Sequence, residues 1–166
     1  MAPVATRRQV VCIPAFGDII GDLDASFRRL LACDPITFDA RPRQLPTAVV
    51  YLFSERSRPF YVGRSNKFNK RLGQHCNHGS QTNQASLAFR LACDEIQHVR
   101  IKYKKGSSSA EALRNVPGLA EAFARTKLRM RSMEIRYVEE IDQVRQGMLE
   151  MYVALALGTK HDFGTH

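Results

Sequence analysis

Two tyrosines ten residues apart, Tyr51 in "AVVYLF" and Tyr61 in "FYVG", are followed by Arg64, Lys67, Lys70 and Arg71 and then by His75. Phenols beside a dense run of donor-only cations suit a polyanionic ligand, whereas rings on adjacent strands without such neighbours serve as ordinary hairpin packing. Glu150 attracts notice by its isolation: it is the acid in the middle of "QVRQGMLEMYVALALG", residues 143–158. There Val144, Met148, Met151, Tyr152 and Leu155 follow a 3.6-residue period, while Leu149, Val153 and Ala156 make much of the remaining surface apolar. Such a helix is expected to be largely buried, and its carboxylate must be paired, hydrogen-bonded or bound to a metal. "HCNH", residues 75–78, sets two imidazoles and a thiol close together. A closed zinc site needs a further ligand at a suitable spacing, so zinc is the lesser reading.

The whole chain limits what these residues can be for. Its 166 residues fit one domain, and 44% hydrophobic with 25% charged residues are globular values. The balance of 25 Lys and Arg against 16 Asp and Glu, a formal +9, favours nucleic acid or an anionic surface as partner. No apolar run approaches the ~20 residues of a membrane-spanning helix. The first residues lack the continuous apolar core of a signal peptide, so a cytoplasmic protein is expected. Four cysteines without a C-x-x-C pair read as reduced and mostly structural.

The elements that must position the candidates follow from periodicity. Phe16, Ile20, Leu23, Phe27, Leu30 and Leu31 predict an amphipathic helix ending before "CDP", and the proline-rich residues 34–46 an irregular connector. "TAVVYLF", 47–53, predicts a central strand covered on both faces, "SERSRP" a turn, and "FYVG" its hairpin partner. A short helix follows with Ser65 or Asn66 as N-cap and Phe68 and Leu72 four apart, then a second one over "SLAFRLACDEI". "HVRIKYK", 98–104, alternates as a short strand; Ser108 and Glu111 form a capping-box pattern; Pro117 precedes a fresh helix through Leu128. "MEIRYVEEID" alternates with Met133, Ile135 and Tyr137 on one face, ahead of the helix that carries Glu150. The order predicts one α/β domain of α+β type with segregated layers.

"VVYLF", then "FYVGRS", with Arg71 ten residues beyond Tyr61 and His75 four beyond that, resembles the GIY-YIG nuclease superfamily over residues 47 to about 163. "VVY" stands for Gly-Ile-Tyr and "YVG" for Tyr-Ile-Gly; "KRLGQH" resembles the arginine helix, and "MEIRYVEEID…MLEMYVALALG" the third strand and glutamate helix. The resemblance implies a small, mainly antiparallel sheet of three or four strands flanked by helices. It divides the chain into an N-terminal helical extension, 1–46, packed on a nuclease domain, 47–166, with an insertion at about 96–131.

What the resemblance further implies is a metal-dependent endonuclease acting on DNA, with RNA as the other substrate open, in a monomer or homodimer. Tyr51 would be general base or water-orienting group, and Tyr61 would hydrogen-bond around the water or phosphate. Arg71 would clamp the scissile phosphate through its planar fork, and His75, one turn on and on the same helix face, would share proton transfer. Glu150 would anchor Mg²⁺, or Mn²⁺ in its place. A phenol is only ~0.1% ionised at neutral pH, a cost of about 4 kcal/mol that nearby cations are expected to lower. Arg64, Lys67 and Lys70, with a second cluster from Arg125 to Arg136, would follow the strand backbone. Where the family has an asparagine after the glutamate helix this chain has "TKHDF", so His161 is assigned to substrate binding with Asp162 beside it. That departure and the relaxed "VVY" keep a second reading open: a nucleic-acid-binding module on the same scaffold with weak or lost cleavage. The bland alternative for Glu150 is a rim carboxylate satisfied by an arginine.

Overall fold

A computed structural model describes residues 15–96, 111 and 114–159. Three strands, β1 (Val49–Glu55), β2 (Arg58–Ser65) and β3 (Glu134–Glu139), form an antiparallel sheet in the order β2-β1-β3. β1 is central and buried on both faces, which is why it reads as a continuous apolar run. β2 is longer than "FYVG" alone. The turn between β1 and β2 puts Arg56 and Ser57 at positive φ, matching the strand twist without a glycine. Register slips between Phe53 and Ser54, so Phe60 on β2 is the additional residue of a bulge, and Pro59 is tolerated because β2 is an edge.

The two faces of the sheet bury different helices. Tyr51, Phe53 and Ile135 face one core with Phe68, Leu72 and Cys76 of α2 (Phe68–Cys76), and with residues of α3 (Ser86–Glu95) and α4 (Leu119–Arg131). Val50, Leu52, Val62 and Val138 face the other, against Leu23 and Leu30 of α1 (Phe16–Ala32) and Leu149 and Val153 of α5 (Gln143–Leu157). The result is an α+β fold of three layers, its three-stranded antiparallel sheet flanked by helices as the resemblance implies.

Local chemistry sets the ends of the helices. The N-cap of α2 is Lys67 rather than Ser65 or Asn66; the Ser65 hydroxyl instead accepts the Lys67 N–H at 3.0 Å, and the Phe68 N–H reaches Thr47 O at the foot of β1. α4 begins after Gly118, whose φ of 77° only glycine adopts freely. Asp142 caps α5 by accepting the N–H groups of Val144 and Arg145. Buried Gln146 then ties α5 to the β2–α2 connection, its Nε2 donating to Asn66 Oδ1 and Glu140 O. α5 is less buried than its composition predicts. Val144, Met151 and Leu155 are exposed, because only one stripe of the helix meets the sheet and α1. The predicted strand at 98–104 and the Ser108 cap lie outside the described residues.

Candidate active site at the open edge of β2

Cross-strand register brings the tyrosines together. Tyr51 pairs directly with Gly63, and Phe53 with Tyr61, so both phenol rings lie on one face with ring centroids 6.2 Å apart. Gly63 is there because of space: a Cβ on it would stand 2.6 Å from Tyr51 Oη and 2.9 Å from a ring carbon of Tyr61. The glycine of "YVG" is therefore the hole in the sheet that admits both rings.

α2 supplies two further groups. His75 extends the buried stripe Phe68, Leu72 and Cys76, and its Nε2 lies 2.9 Å from Tyr51 Oη. The imidazole is ringed by Tyr51, Phe53 and Tyr61 at 5.5 to 6.0 Å. Burial, with the Arg71 charge added, drives its pKa down to about 3, so it is neutral at pH 7. Its Nδ1 is buried without a hydrogen-bond partner. Arg71 sits at the mouth of this cage. Its charge and hydrogen bonding act on both phenols, and Nη1 donates to Gln74 Oε1 at 3.2 Å and Gln84 O at 3.3 Å. Arg71 and His75 thus converge on Tyr51 as one turn of helix predicts, with His75 further inside than a shared surface face suggests.

The expectation that cations lower the Tyr51 pKa is corrected. Complete burial and the neighbouring Tyr61 outweigh Arg71, and the phenol is held well above its usual value. Tyr61 is raised too, by burial, with Arg71 opposing and Glu150 reinforcing.

Glu150 approaches from the other layer. α5 lies beneath the opposite face of the sheet, and its carboxylate meets the site around the edge of β2, which pairs with no further strand among the described residues, near enough for its charge to act on Tyr61. There Arg64, crossing Gly147, donates Nε–H to Glu150 Oε2 at 3.0 Å. This is the arginine-satisfied carboxylate of the bland alternative. Among the described residues no group of three or more His, Cys, Asp or Glu could hold a metal ion. The donor set is one carboxylate at an open edge, which fits a hard divalent ion that keeps most of its water and takes phosphate oxygens for the rest. Cys76 does not fit a thiolate ligand, since burial pushes its thiol up to about 12.

The remaining candidates divide. Lys67 and Lys70 are exposed on α2, whereas His161 and Asp162 lie outside the described residues. In the second basic cluster, Arg125, Arg129 and Arg131 are engaged with Glu95, Glu55 and Asp39, and Lys127 is buried with its ammonium on His78 O and Ser80 O. Lys127 is thus a structural residue, whereas the three arginines sit in open surface pairs. Residue-by-residue reading missed Gln74 and Gln84, which hold Arg71, and the Phe53 and Phe68 rings that pack around Tyr51. Only the apolar stripe of α2 signals any of them in advance. Among the described residues no helix is long and apolar enough to cross a membrane.

A family model described as GIY-YIG catalytic domain matches residues 47–154. No curated protein and no solved structure matches the chain.

Proposed function

The chain belongs to the GIY-YIG family, and from that premise we propose that it is an endonuclease hydrolysing phosphodiester bonds in DNA. Tyr51, Tyr61, Arg71, His75 and Glu150 would form its active site. The observation that carries the reading is the convergence of Tyr51 with His75 at 2.9 Å and with the Arg71 guanidinium, at the sheet edge that Glu150 also reaches.

Arg71 would receive the scissile phosphate. Its planar fork matches two phosphoryl oxygens, and Gln74 and Gln84 hold it in place before the substrate arrives. The attacking water would meet Tyr61, the less buried phenol. Because neither phenol ionises readily, a free phenolate is a poor base here, and a relay is the better route: water to Tyr61, Tyr61 to Tyr51, Tyr51 Oη to His75 Nε2. Forming the imidazolium at pH 7 from a pKa of about 3 costs about 5 kcal/mol in the free protein. A phosphate neutralising Arg71 removes one of the two causes of that depression. The oxygen of water bonds to phosphorus as the bond to the departing oxygen breaks.

GIY-YIG nucleases generally depend on a divalent metal, and Glu150 would hold Mg²⁺ or Mn²⁺, which would supply neutralising charge for the phosphoryl transfer. For that, Arg64 must leave the carboxylate, and it would then join Lys67 and Lys70 on the substrate backbone, with His161 assigned to the same role. Residues 47–166 would carry the chemistry, with 1–46 as a packed extension.

The test is plasmid DNA with Mg²⁺, beside Glu150→Ala and an EDTA control. Metal-dependent nicking lost in the variant supports hydrolysis. Binding by gel shift without nicking supports the second reading, a module whose Glu150 stays paired with Arg64.

A further inference from the structure

An open groove of about 430 Å³ runs along the outward side of α2, beside the phenol cage. Arg41, Asn69, Lys70, Gln74 and Gln84 line it, and no acid does.

Its polarity is one-sided for a definite reason. Asn69 Oδ1 accepts from Arg41 Nε at 3.0 Å, Gln74 Oε1 from Arg71 Nη1 at 3.2 Å, and Gln84 Oε1 from the Gln81 N–H at 3.2 Å. Guanidinium and backbone N–H groups only donate, so these partners fix which amide atom is oxygen. Each of these oxygens already accepts one bond inside the protein, and the NH₂ groups of the three amides remain as donors to a ligand; Asn77, the fourth amide of the wall, is not fixed in this way. With Arg41 and Lys70 the groove is dominated by donors. A phosphate only accepts and matches such a wall; a base edge mixes donors with acceptors and does not.

The wall is also built in advance. Lys127 Nζ holds the carbonyls of His78 and Ser80, the Ser80 hydroxyl donates to Gly73 O at 3.0 Å, and the Arg41 guanidinium lies 3.9 Å over the Phe38 ring. The groove shares residues with the active site. Gln74 and Gln84 hold Arg71 and line the groove as well. A strand whose scissile phosphate rests on Arg71 therefore has this groove beside it for a neighbouring linkage.

We propose that this groove binds a second, uncleaved phosphate of the strand being cut, with Arg41 and Lys70 as its charges and the amides of Asn69, Gln74 and Gln84 as fixed donors. The proposal rests on the nuclease reading and names where the strand runs.

The probe is a short fluorescein-labelled DNA duplex whose linkages are made uncharged, one at a time, as methylphosphonates. Anisotropy measures its binding to Glu150→Gln protein, the variant in which the proposed hydrolysis is disabled, with a gel of the recovered duplex checking that it stays intact. At one linkage near the cut, neutralisation should weaken binding about five- to tenfold in this parent and less than about twofold once Arg41→Gln or Lys70→Gln is added. Lys70 is exposed, so Lys70→Gln keeps the test valid if Arg41→Gln unfolds on losing its stack on Phe38; thermal melts identify that case. A linkage effect unchanged in both variants overturns the groove, as does sensitivity to abasic positions in place of neutral linkages. If the parent binds no DNA at low salt, the nuclease reading itself falls, and the groove proposal with it.

Discussion

Arg64 Nε stands 3.0 Å from Glu150 Oε2, a pair that ties the outer strand β2 to helix α5 of the layer beneath it. The arginine side chain is 45% exposed and the glutamate 20%. A pair this open is weak, worth at most about 1 kcal/mol once solvent screening is counted, so it holds the carboxylate in place without sealing it. On the proposed reading Arg64 therefore competes with a divalent cation for this carboxylate.

Removing the competitor should favour the ion. Arg64→Ala is expected to tighten Mn²⁺ binding by about two- to fivefold, the reverse of what loss of a backbone-binding cation does to DNA affinity. Isothermal titration with Mn²⁺, beside Glu150→Ala as the non-binding control, reads the first effect. Weaker Mn²⁺ binding by Arg64→Ala would mean that the arginine positions the carboxylate instead of blocking it.

Arg71→Lys keeps the charge and loses the fork. Lysine cannot satisfy two phosphoryl oxygens while also meeting Gln74 and Gln84, so kcat should fall about 10²-fold or more with little change in DNA affinity at low salt. Single-turnover cleavage against anisotropy binding separates the two. A loss confined to binding would reduce Arg71 to a general phosphate contact.

Gly63→Ala tests the hole in the sheet. The added methyl would overlap Tyr51 Oη at 2.6 Å, and since the ring is buried between Phe53, Phe68 and His75 it has little room to give. A loss of about 1–3 kcal/mol in urea unfolding is expected, together with loss of cleavage from a displaced phenol. An unchanged midpoint would show that the cage accommodates a methyl.

Residues near in sequence were legible in advance, and those joined only by folding were not. The continuous apolar run of β1, the Phe68 and Leu72 spacing of α2 and the helix around Glu150 are local signals, and the fold carries each of them. Arg64 and Glu150 are 86 residues apart, so neither names the other until the sheet order puts β2 at an edge. Gly63 opposite Tyr51 depends on cross-strand register in the same way. The polarity of the phenols was misjudged because "RSNKFNKR" counts cations along the chain, while pKa depends on what remains beside the ring after burial. Only Arg71 acts on Tyr51 from that run, and desolvation outweighs it. Similarly, the apolar composition of α5 could not show that one side of it stays uncovered.

The buried imidazole predicts a pH dependence of stability with a definite sign. His75 titrates at about 3 when folded and near 6.5 when unfolded, so between these values the unfolded chain binds a proton that the native state refuses. Stability from this group is fully present above pH 6.5 and is lost as the pH falls towards 3, by about 1.4 kcal/mol per unit inside that window. Urea unfolding at pH 7, 6, 5 and 4 reads the slope, with carboxylate titration adding to it only at the acid end. His75→Gln has no titrating ring, and its amide offers Tyr51 a hydrogen-bonding partner in place of Nε2. It should flatten the slope between pH 6.5 and 5 while slowing cleavage at pH 7, since an amide cannot take the phenol's proton. A variant that keeps the full slope would move the titrating group elsewhere, and one that keeps full activity would remove His75 from the relay.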